Sequence, residues 1–176
     1  MKKLFLLTAI LGVFAFSNAN AQKDVAMNGP KLGIGPEFAF PIGSFGDNWK
    51  FGYGGSLLYQ HPVASNINLT LNAGYISFQS KELPIVGGKI NAGYIPLKAG
   101  ASVFINENFY VNGELGAAFG TGDHASGTAF AYSPGIGVEF PVSDKSSIDV
   151  SGRYEGWSKN GTISFIGVRA AFNFGL

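Results

Sequence analysis

The chain has 176 residues, about the length of one domain, and combines 46% hydrophobic and 14% aromatic residues with only 13% charged residues. It contains 26 glycines, 16 phenylalanines and no cysteine. This composition excludes a disordered chain and a disulfide-stabilised secreted module. The formal charge of +1 gives no sign of the clustered lysines and arginines that nucleic-acid binding requires.

The first 21 residues have the features of an export signal. Two lysines follow the initial methionine, residues 4–16 are mostly apolar, and Ala19-Asn20-Ala21 is a signal-peptidase cleavage sequence. The apolar run is shorter than the roughly 18 residues that a membrane-spanning helix needs. We therefore predict a signal peptide at residues 1–21 that is cleaved after Ala21. The mature chain then has 10 basic and 11 acidic residues.

Residues 22–30 are polar and are predicted to be a short periplasmic lead-in, followed by one domain at 31–176. In that domain, apolar residues alternate with glycine, small or polar residues in eight segments, a pattern typical of β-strands with two different faces. Export without a second helical span, together with the low charge, favours an all-β fold, an eight-stranded antiparallel transmembrane up-and-down β-barrel. The apolar faces would contact lipid and the glycine-rich polar faces would line the lumen. The predicted strands are residues 32–40, 51–60, 67–75, 94–105, 109–119, 130–140, 148–154 and 166–176.

Aromatic residues fall near the strand ends in two groups, as expected for rings at the headgroup level of each leaflet. One group would form the rim on the periplasmic side: Tyr59, Phe109, Phe140, Phe172 and Phe174. The other would form the outer rim: Phe40, Phe51, Tyr75, Phe119, Phe130 and Tyr154.

The predicted connections alternate in length, as required when both termini of the barrel face the periplasm. The short ones are 61–66, 106–108 and 141–146, and two of these share a Pro-Val motif. The longer ones, which contain both tryptophans, are 41–50, 78–89, 120–128 and 155–162. Pro36, Pro96 and Pro134 lie inside predicted strands. Because proline lacks the N–H that a ladder needs, we expect these three to mark bulges or rim positions.

Residues 94–100 (Tyr-Ile-Pro-Leu-Lys-Ala-Gly), a short turn at 106–108 and residues 109–116 (Phe-Tyr-Val-Asn-Gly-Glu-Leu-Gly) form a predicted hairpin. This hairpin, together with the order of export signal, strands and short turns, resembles the outer-membrane β-barrel domain of the small bacterial "porin family" proteins. The resemblance implies an integral protein of the outer membrane of a Gram-negative bacterium. Despite the family label, eight strands enclose too narrow an interior for bulk diffusion.

Five charged residues fall on the inward faces near mid-strand, where an unpaired charge is costly. Lys98 and Glu114 are on adjacent strands, and Arg169 would meet Glu37 where the last strand closes on the first. We predict an ion-pair network that fills the lumen, comprising Glu37, Lys98, Glu114, Arg153 and Arg169. Glu139 and Asp149 would lie together at the inner mouth, in contact with water.

His124-Ala125-Ser126 is the one sequence that suggests a nucleophile, because residues i and i+2 of an extended segment share a face. Lipid A 3-O-deacylases, which are also eight-stranded barrels, use a His-x-Ser pair with a glutamate. Here the nearest later glutamate, Glu139, would lie at the far end of the strand from this loop. Asp123 and Glu155 are the possible substitutes for the catalytic glutamate. A polar loop without catalysis is the favoured interpretation. No metal-ligand spacing is present around either histidine, and no cofactor is expected.

The sequence thus favours a structural, surface-interaction or envelope-integrity role for a barrel with a filled lumen. The alternatives are a narrow ion or small-solute channel, a lipid A deacylase-like hydrolase at His124 and Ser126, and a soluble lipocalin-like barrel. Expected partners are outer-membrane lipid and lipopolysaccharide, with barrel assembly machinery and periplasmic chaperones during biogenesis. The sequence does not identify an extracellular partner.

Overall fold

The computed structural model describes residues 29–81, 90–121, 125–159 and 161–176. The predicted signal peptide and residues 22–28 of the lead-in lie outside the described residues. The chain forms eight strands and one short helix, α1 (Gly43–Asn48), between the first two strands. The strands are β1 (Lys31–Ile42), β2 (Trp49–Ala64), β3 (Ile67–Ser80), β4 (Asn91–Phe104), β5 (Phe109–Thr121), β6 (Thr128–Ser143), β7 (Ser146–Ser158) and β8 (Thr162–Gly175).

All eight strands are antiparallel and form one closed barrel, in which each strand pairs with the next and β8 pairs with β1. The prediction of an eight-stranded up-and-down barrel is confirmed. The tight turns at 65–66, 105–108 and 144–145 lie at one end, called here the turn end. The opposite end, called the loop end, carries α1 and the connections 81–90, 122–127 and 159–161.

The two faces of each strand follow the predicted alternation. Apolar side chains point outward and are exposed, for example Ile34, Leu57, Leu71, Leu97, Leu115, Ile136, Val150 and Phe172. Side chains on the opposite face of the same strands point inward and are buried, for example Glu37, Ser56, Asn72, Lys98, Glu114, Ser133, Arg153 and Arg169. Because a slip of one residue would exchange the two sets, the alternation of apolar and polar residues strongly favours one orientation of every strand.

The outward aromatic residues near the loop end form contacting groups. Phe51 stacks with Phe38 at a centroid distance of 5.9 Å and meets Phe40 edge-on at 5.5 Å. On the other side of the barrel, Tyr132 lies 6.1 Å from Tyr154. Of these rings, Phe40, Phe51 and Tyr154 belong to the predicted outer rim. No helix within the described residues is long and apolar enough to cross a bilayer.

Most strands extend further towards the loop end than predicted, and the expectation that β7 ends at Tyr154 was wrong. Residues 155–158 continue β7 instead of beginning a loop, so Glu155 and Trp157 lie inside the barrel with exposures of 1% and 2%. The alternation simply continues past Arg153 on the inward face. A glutamate and a tryptophan beside Lys159 and glycine resembled loop composition, which hid this continuation.

The prediction that Pro36, Pro96 and Pro134 mark bulges or rim positions was also wrong. All three lie in mid-strand, and the register is the same on both sides of each. Each proline pairs regularly with one neighbouring strand, while the ladder on its other side omits two residue pairs and then resumes in register. The barrel therefore tolerates the missing N–H groups locally. The register shifts lie instead at Trp49/Phe51, Pro62/Ala64 and Pro141/Ser143.

Candidate functional site

The lumen near the loop end is closed by an aromatic cluster, called here the outer plug: Phe45, Phe78, Tyr94, Trp157 and Phe165. Trp157 meets Phe165 edge-to-face at 4.9 Å, and Phe78 meets Phe165 at 5.1 Å. Such edge-to-face pairs add to the stabilisation from burial. The expectation of a polar lumen therefore fails in this part of the barrel, where inward residues beyond the predicted strand ends are apolar.

The helix α1 contributes one side chain to the outer plug. Gly43 begins the helix with a φ of 59°, in the left-handed region that glycine adopts without a steric penalty. This turn directs the chain back over the barrel end, so that Phe45 is buried 5.1 Å from the ring of Phe78. The first long connection thus covers the lumen.

Glu155 joins the outer plug to the charged residues below it. Its Oε2 accepts a hydrogen bond from the indole Nε1 of Trp157 at 2.9 Å. Its Oε1 pairs with Nε of Arg153 at 2.7 Å and with the ammonium group of Lys98. Sequence reasoning missed this residue as a member of the network. The available signal was its position two residues after Arg153, on the same face of the strand.

Glu37 is held by two strands besides its own. Nη2 of Arg153 lies 2.6 Å from Glu37 Oε2, and Oγ of Ser56 donates to Glu37 Oε1 at 2.6 Å. Arg169 is the register partner of Glu37 across the β1–β8 seam, but its Nε is 4.0 Å from Glu37 Oε1 and donates to Ser56 at 3.0 Å. Arg153 is therefore the closer cation to Glu37.

Lys98 links Glu114, the remaining predicted lumen residue, to Glu155 and so to the other charged residues. Its Nζ lies 3.3 Å from Glu114 Oε2 and donates to Oγ of Ser133 at 3.2 Å. Asn72 donates to the same oxygen of Glu114 at 3.3 Å. The structure thus brings all five predicted lumen residues and Glu155 into one connected set, called here the lumen network: Glu37, Lys98, Glu114, Arg153, Glu155 and Arg169.

Two more carboxylates lie nearer the turn end. Asp149 pairs with Arg169 Nη1 at 3.2 Å and accepts from the hydroxyl of Tyr110 at 2.6 Å. Glu139 pairs with Nζ of Lys31 at 2.6 Å and accepts from Ser147 at 2.6 Å. The two carboxylates are register partners, as expected, but they are 0% and 2% exposed. The prediction that water solvates them was wrong, because Lys31 and Tyr110 cover them.

The described part of the lumen buries four basic and five acidic side chains. Each carries a large desolvation cost that only close pairing offsets, so the network is stable as a unit and intolerant of losing one member. A cavity of about 20 Å³ remains among Asn112, Glu114, Arg153, Arg169 and nearby polar residues. That volume holds about one water molecule.

The residues of the suggested hydrolase are not assembled by the described structure. His124 and Asp123 lie outside the described residues. The backbone oxygen of Ser126 accepts a hydrogen bond from Lys159 at 3.0 Å. Glu139 lies at the turn end, and Glu155 is engaged within the lumen network, so neither carboxylate is free to serve a site at Ser126. Among the described residues, no three His, Asp or Glu side chains are arranged to hold a metal ion.

Comparison with known proteins gives one family match and several structural ones. The family model described as "Outer membrane protein beta-barrel domain" matches residues 6–174. No curated protein sequence matches the chain.

Three solved structures illustrate the structural likeness. Ail of Yersinia pestis is 19% identical with a TM-score of 0.55, covering 84% of this chain and 100% of that one. Neisserial surface protein A is 14% identical with a TM-score of 0.62, covering 85% and 98%. OprG of Pseudomonas aeruginosa is 9% identical with a TM-score of 0.60, covering 88% and 99%. At these identities the likeness concerns the fold.

Proposed function

The chain belongs to the outer membrane protein β-barrel domain family and resides in the outer membrane, and from this premise we propose that it is a closed barrel with a structural or surface-interaction role. In this proposal it neither conducts solutes nor catalyses a reaction. Its membrane surroundings are phospholipid and lipopolysaccharide, and assembly machinery and periplasmic chaperones insert it. The turn end faces the periplasm and the loop end faces outward, as short and longer connections do in such barrels.

The filling of the lumen carries the proposal. The outer plug occludes the loop end, and the lumen network crosses the middle with side chains from β1, β4, β5, β7 and β8. An eight-stranded barrel has an interior just wide enough for side chains to fill. A cavity that holds about one water is not a continuous path for ions.

Conductance across a planar bilayer tests this proposal against the channel alternative. The purified protein is first shown to be folded by its change in gel mobility on boiling, and it is then added to the bilayer. We expect no unitary current steps above the lipid baseline. Reproducible steps whose size depends on the salt used would favour a narrow channel and contradict a closed lumen.

The loop end offers a specific surface for interaction with anions. Lys50, Lys81 and Lys159 are exposed there at the ends of β2, β3 and β7. The solved structure of Ail, a protein of the same fold, contains the heparin analogue sucrose octasulfate. We therefore infer that a sulfated or phosphorylated glycan is the partner class to test first. Calorimetry with sucrose octasulfate should show binding that weakens when the three lysines are changed to glutamine and when salt is raised.

The proposal assigns no catalysis to the connection at 120–128. Lipid A extracted from cells that express the protein should have the same acyl chains as lipid A from cells that lack it. The change Ser126→Ala should make no difference to that mass spectrum. Loss of one acyl chain, restored by Ser126→Ala, would support the hydrolase alternative instead.

A further inference from the structure

The lipid-facing side of the barrel carries a groove over β2, β3 and β4. It has a volume of about 370 Å³ and is lined by Tyr59, His61, Leu69, Thr70, Leu71, Ala99 and Gly100. It lies nearer the turn end, because Leu71 pairs with both Tyr59 and Ala99. The groove is continuous with the outward apolar band, so its surroundings in the cell are membrane lipid.

The sequence creates this groove by a change in side-chain size along β4. The outward residues near the loop end are large, Ile95 and Leu97, and the next two towards the turn end are Ala99 and Ala101. The neighbouring strand presents Leu71 opposite Ala99 and Leu69 opposite Ala101. Both leucines are about half exposed and stand beside the floor of the groove, which Ala99 and Gly100 form.

The end of the groove nearest the turns is polar. Tyr59 and His61 stack with a centroid distance of 6.3 Å, and the tyrosine hydroxyl lies 3.3 Å from His61 Nδ1. When that hydroxyl donates to Nδ1, the proton of the neutral ring is on Nε2, from which it can be donated outward. An aromatic pair with a polar edge is suited to the level of lipid headgroups, where it can donate to a phosphate oxygen.

We propose that this groove binds one phospholipid of the periplasmic leaflet, with an acyl chain along Leu69, Leu71 and Ala99 and the phosphate beside His61. This rests on the proposed orientation, which places the turn end in the phospholipid-containing leaflet. A single acyl chain is thin and flexible enough to follow a groove between neighbouring strands. The convex wall of a second barrel is not, so a lipid fits the shape better than another copy.

The physical basis is packing, because apolar surfaces inside a bilayer gain nothing from leaving water. A chain seated in the groove contacts residues of β2, β3 and β4 together, whereas a chain on a flat barrel wall contacts fewer protein atoms. The hydrogen bond from His61 adds to this and fixes the headgroup end. Both contributions can be removed separately by substitution.

The test uses the full-length mature protein in vesicles of phosphatidylethanolamine and phosphatidylglycerol that contain phosphatidylethanolamine with a photoreactive acyl chain. After illumination, mass spectrometry locates the labelled peptides. We expect labelling concentrated on residues 67–73 and 97–101. The change Ala99→Leu fills the floor and should lower labelling there by about threefold or more. The matched control Ala117→Leu, on the lipid-facing side of β5 outside the groove, should leave it unchanged.

Two further variants test whether His61 binds the lipid headgroup and whether a second copy of the chain occupies the groove instead of a lipid. His61→Ala should weaken retention of phosphatidylethanolamine in native mass spectrometry, whereas Ala117→Leu should not. Because the chain has no cysteine, Ala99→Cys introduces a single thiol, and oxidation should give no disulfide-linked dimer. Labelling spread evenly over the outward face, or efficient dimer formation through Cys at this position, would overturn the proposal. Each variant should show the same change in gel mobility on boiling as the unsubstituted protein, which verifies that it is folded, so neither result depends on misfolding.

Discussion

The contact between Glu37 and Arg153 should contribute more to stability than the contact between Glu37 and Arg169, although only the second pair faces across the closing seam. Arg153 Nη2 is 2.6 Å from the carboxylate, within hydrogen-bond distance, whereas Arg169 Nε is 4.0 Å away. Coulomb attraction scales inversely with distance, so the longer separation retains about two-thirds of it. It also lacks a direct hydrogen bond.

The magnitudes follow from burial. Removing one partner of a buried ion pair costs about 3–5 kcal/mol, since the other charge is left uncompensated. We expect Glu37→Gln and Arg153→Met each to lower the free energy of unfolding by about that amount. The double variant should lose less than the sum, with a coupling energy of about 1–3 kcal/mol. For Glu37→Gln with Arg169→Met, the coupling should be below about 1 kcal/mol, because Ser56 lies between the two side chains.

Urea unfolding from phospholipid vesicles measures these values, with tryptophan fluorescence as the signal. Trp157 is suitable because it lies inside the barrel and contacts Glu155, next to the substituted residues. A larger coupling for Arg169 than for Arg153 would refute the geometry described here. Strict additivity in both cycles would mean that Glu37 pairs with neither arginine.

Three other predictions concern different parts of the barrel. Gly100→Ala should prevent stable folding, because a Cβ there would lie 2.0 Å from the backbone oxygen of Gly113, whereas Gly113→Ala has open space and should be neutral in gel-mobility assays. Trp157→Phe should keep most of the packing but lose the hydrogen bond to Glu155, lowering the free energy of unfolding by about 1.5–3 kcal/mol. Leu57→Arg places a charge on the lipid-facing side and should cost about 2–4 kcal/mol in vesicle unfolding if it lies at the midplane, while Leu57→Met should cost almost nothing.

The predictable part of this fold was the alternation. Within the predicted segments, each strand has one apolar and one polar or glycine-rich face, and residues such as Leu57 and Lys98 could be assigned to opposite sides without knowing which strands were neighbours. The five predicted lumen residues followed from the same alternation, since a charge on an inward face must find a partner.

The missed features all depend on where strands end and on contacts between distant strands. The alternation predicted β7 only to Tyr154, so Glu155 and Trp157 were assigned to a loop and the outer plug was not expected. Similarly, Asp149 and Glu139 were predicted to contact water at the inner mouth of the barrel because nothing in their own strands covers them. The side chains that cover them, Lys31 and Tyr110, come from β1 and β5. The sequence around a residue contains no signal that a side chain from a distant strand will bury it.

The lumen network explains why this barrel has one register rather than merely a stable interior. Apolar residues of similar volume often replace buried ion pairs without loss of stability, so stability alone does not require these charges. A slip of one residue along β7 would, however, turn Arg153 towards lipid, where a charge at the midplane costs about 2–4 kcal/mol. It would also leave Glu37 without its nearest cation, Arg153. An apolar lumen would impose no comparable penalty, because both faces would then tolerate lipid. The charges therefore penalise incorrect strand pairings during closure, most strongly where β1, β7 and β8 meet.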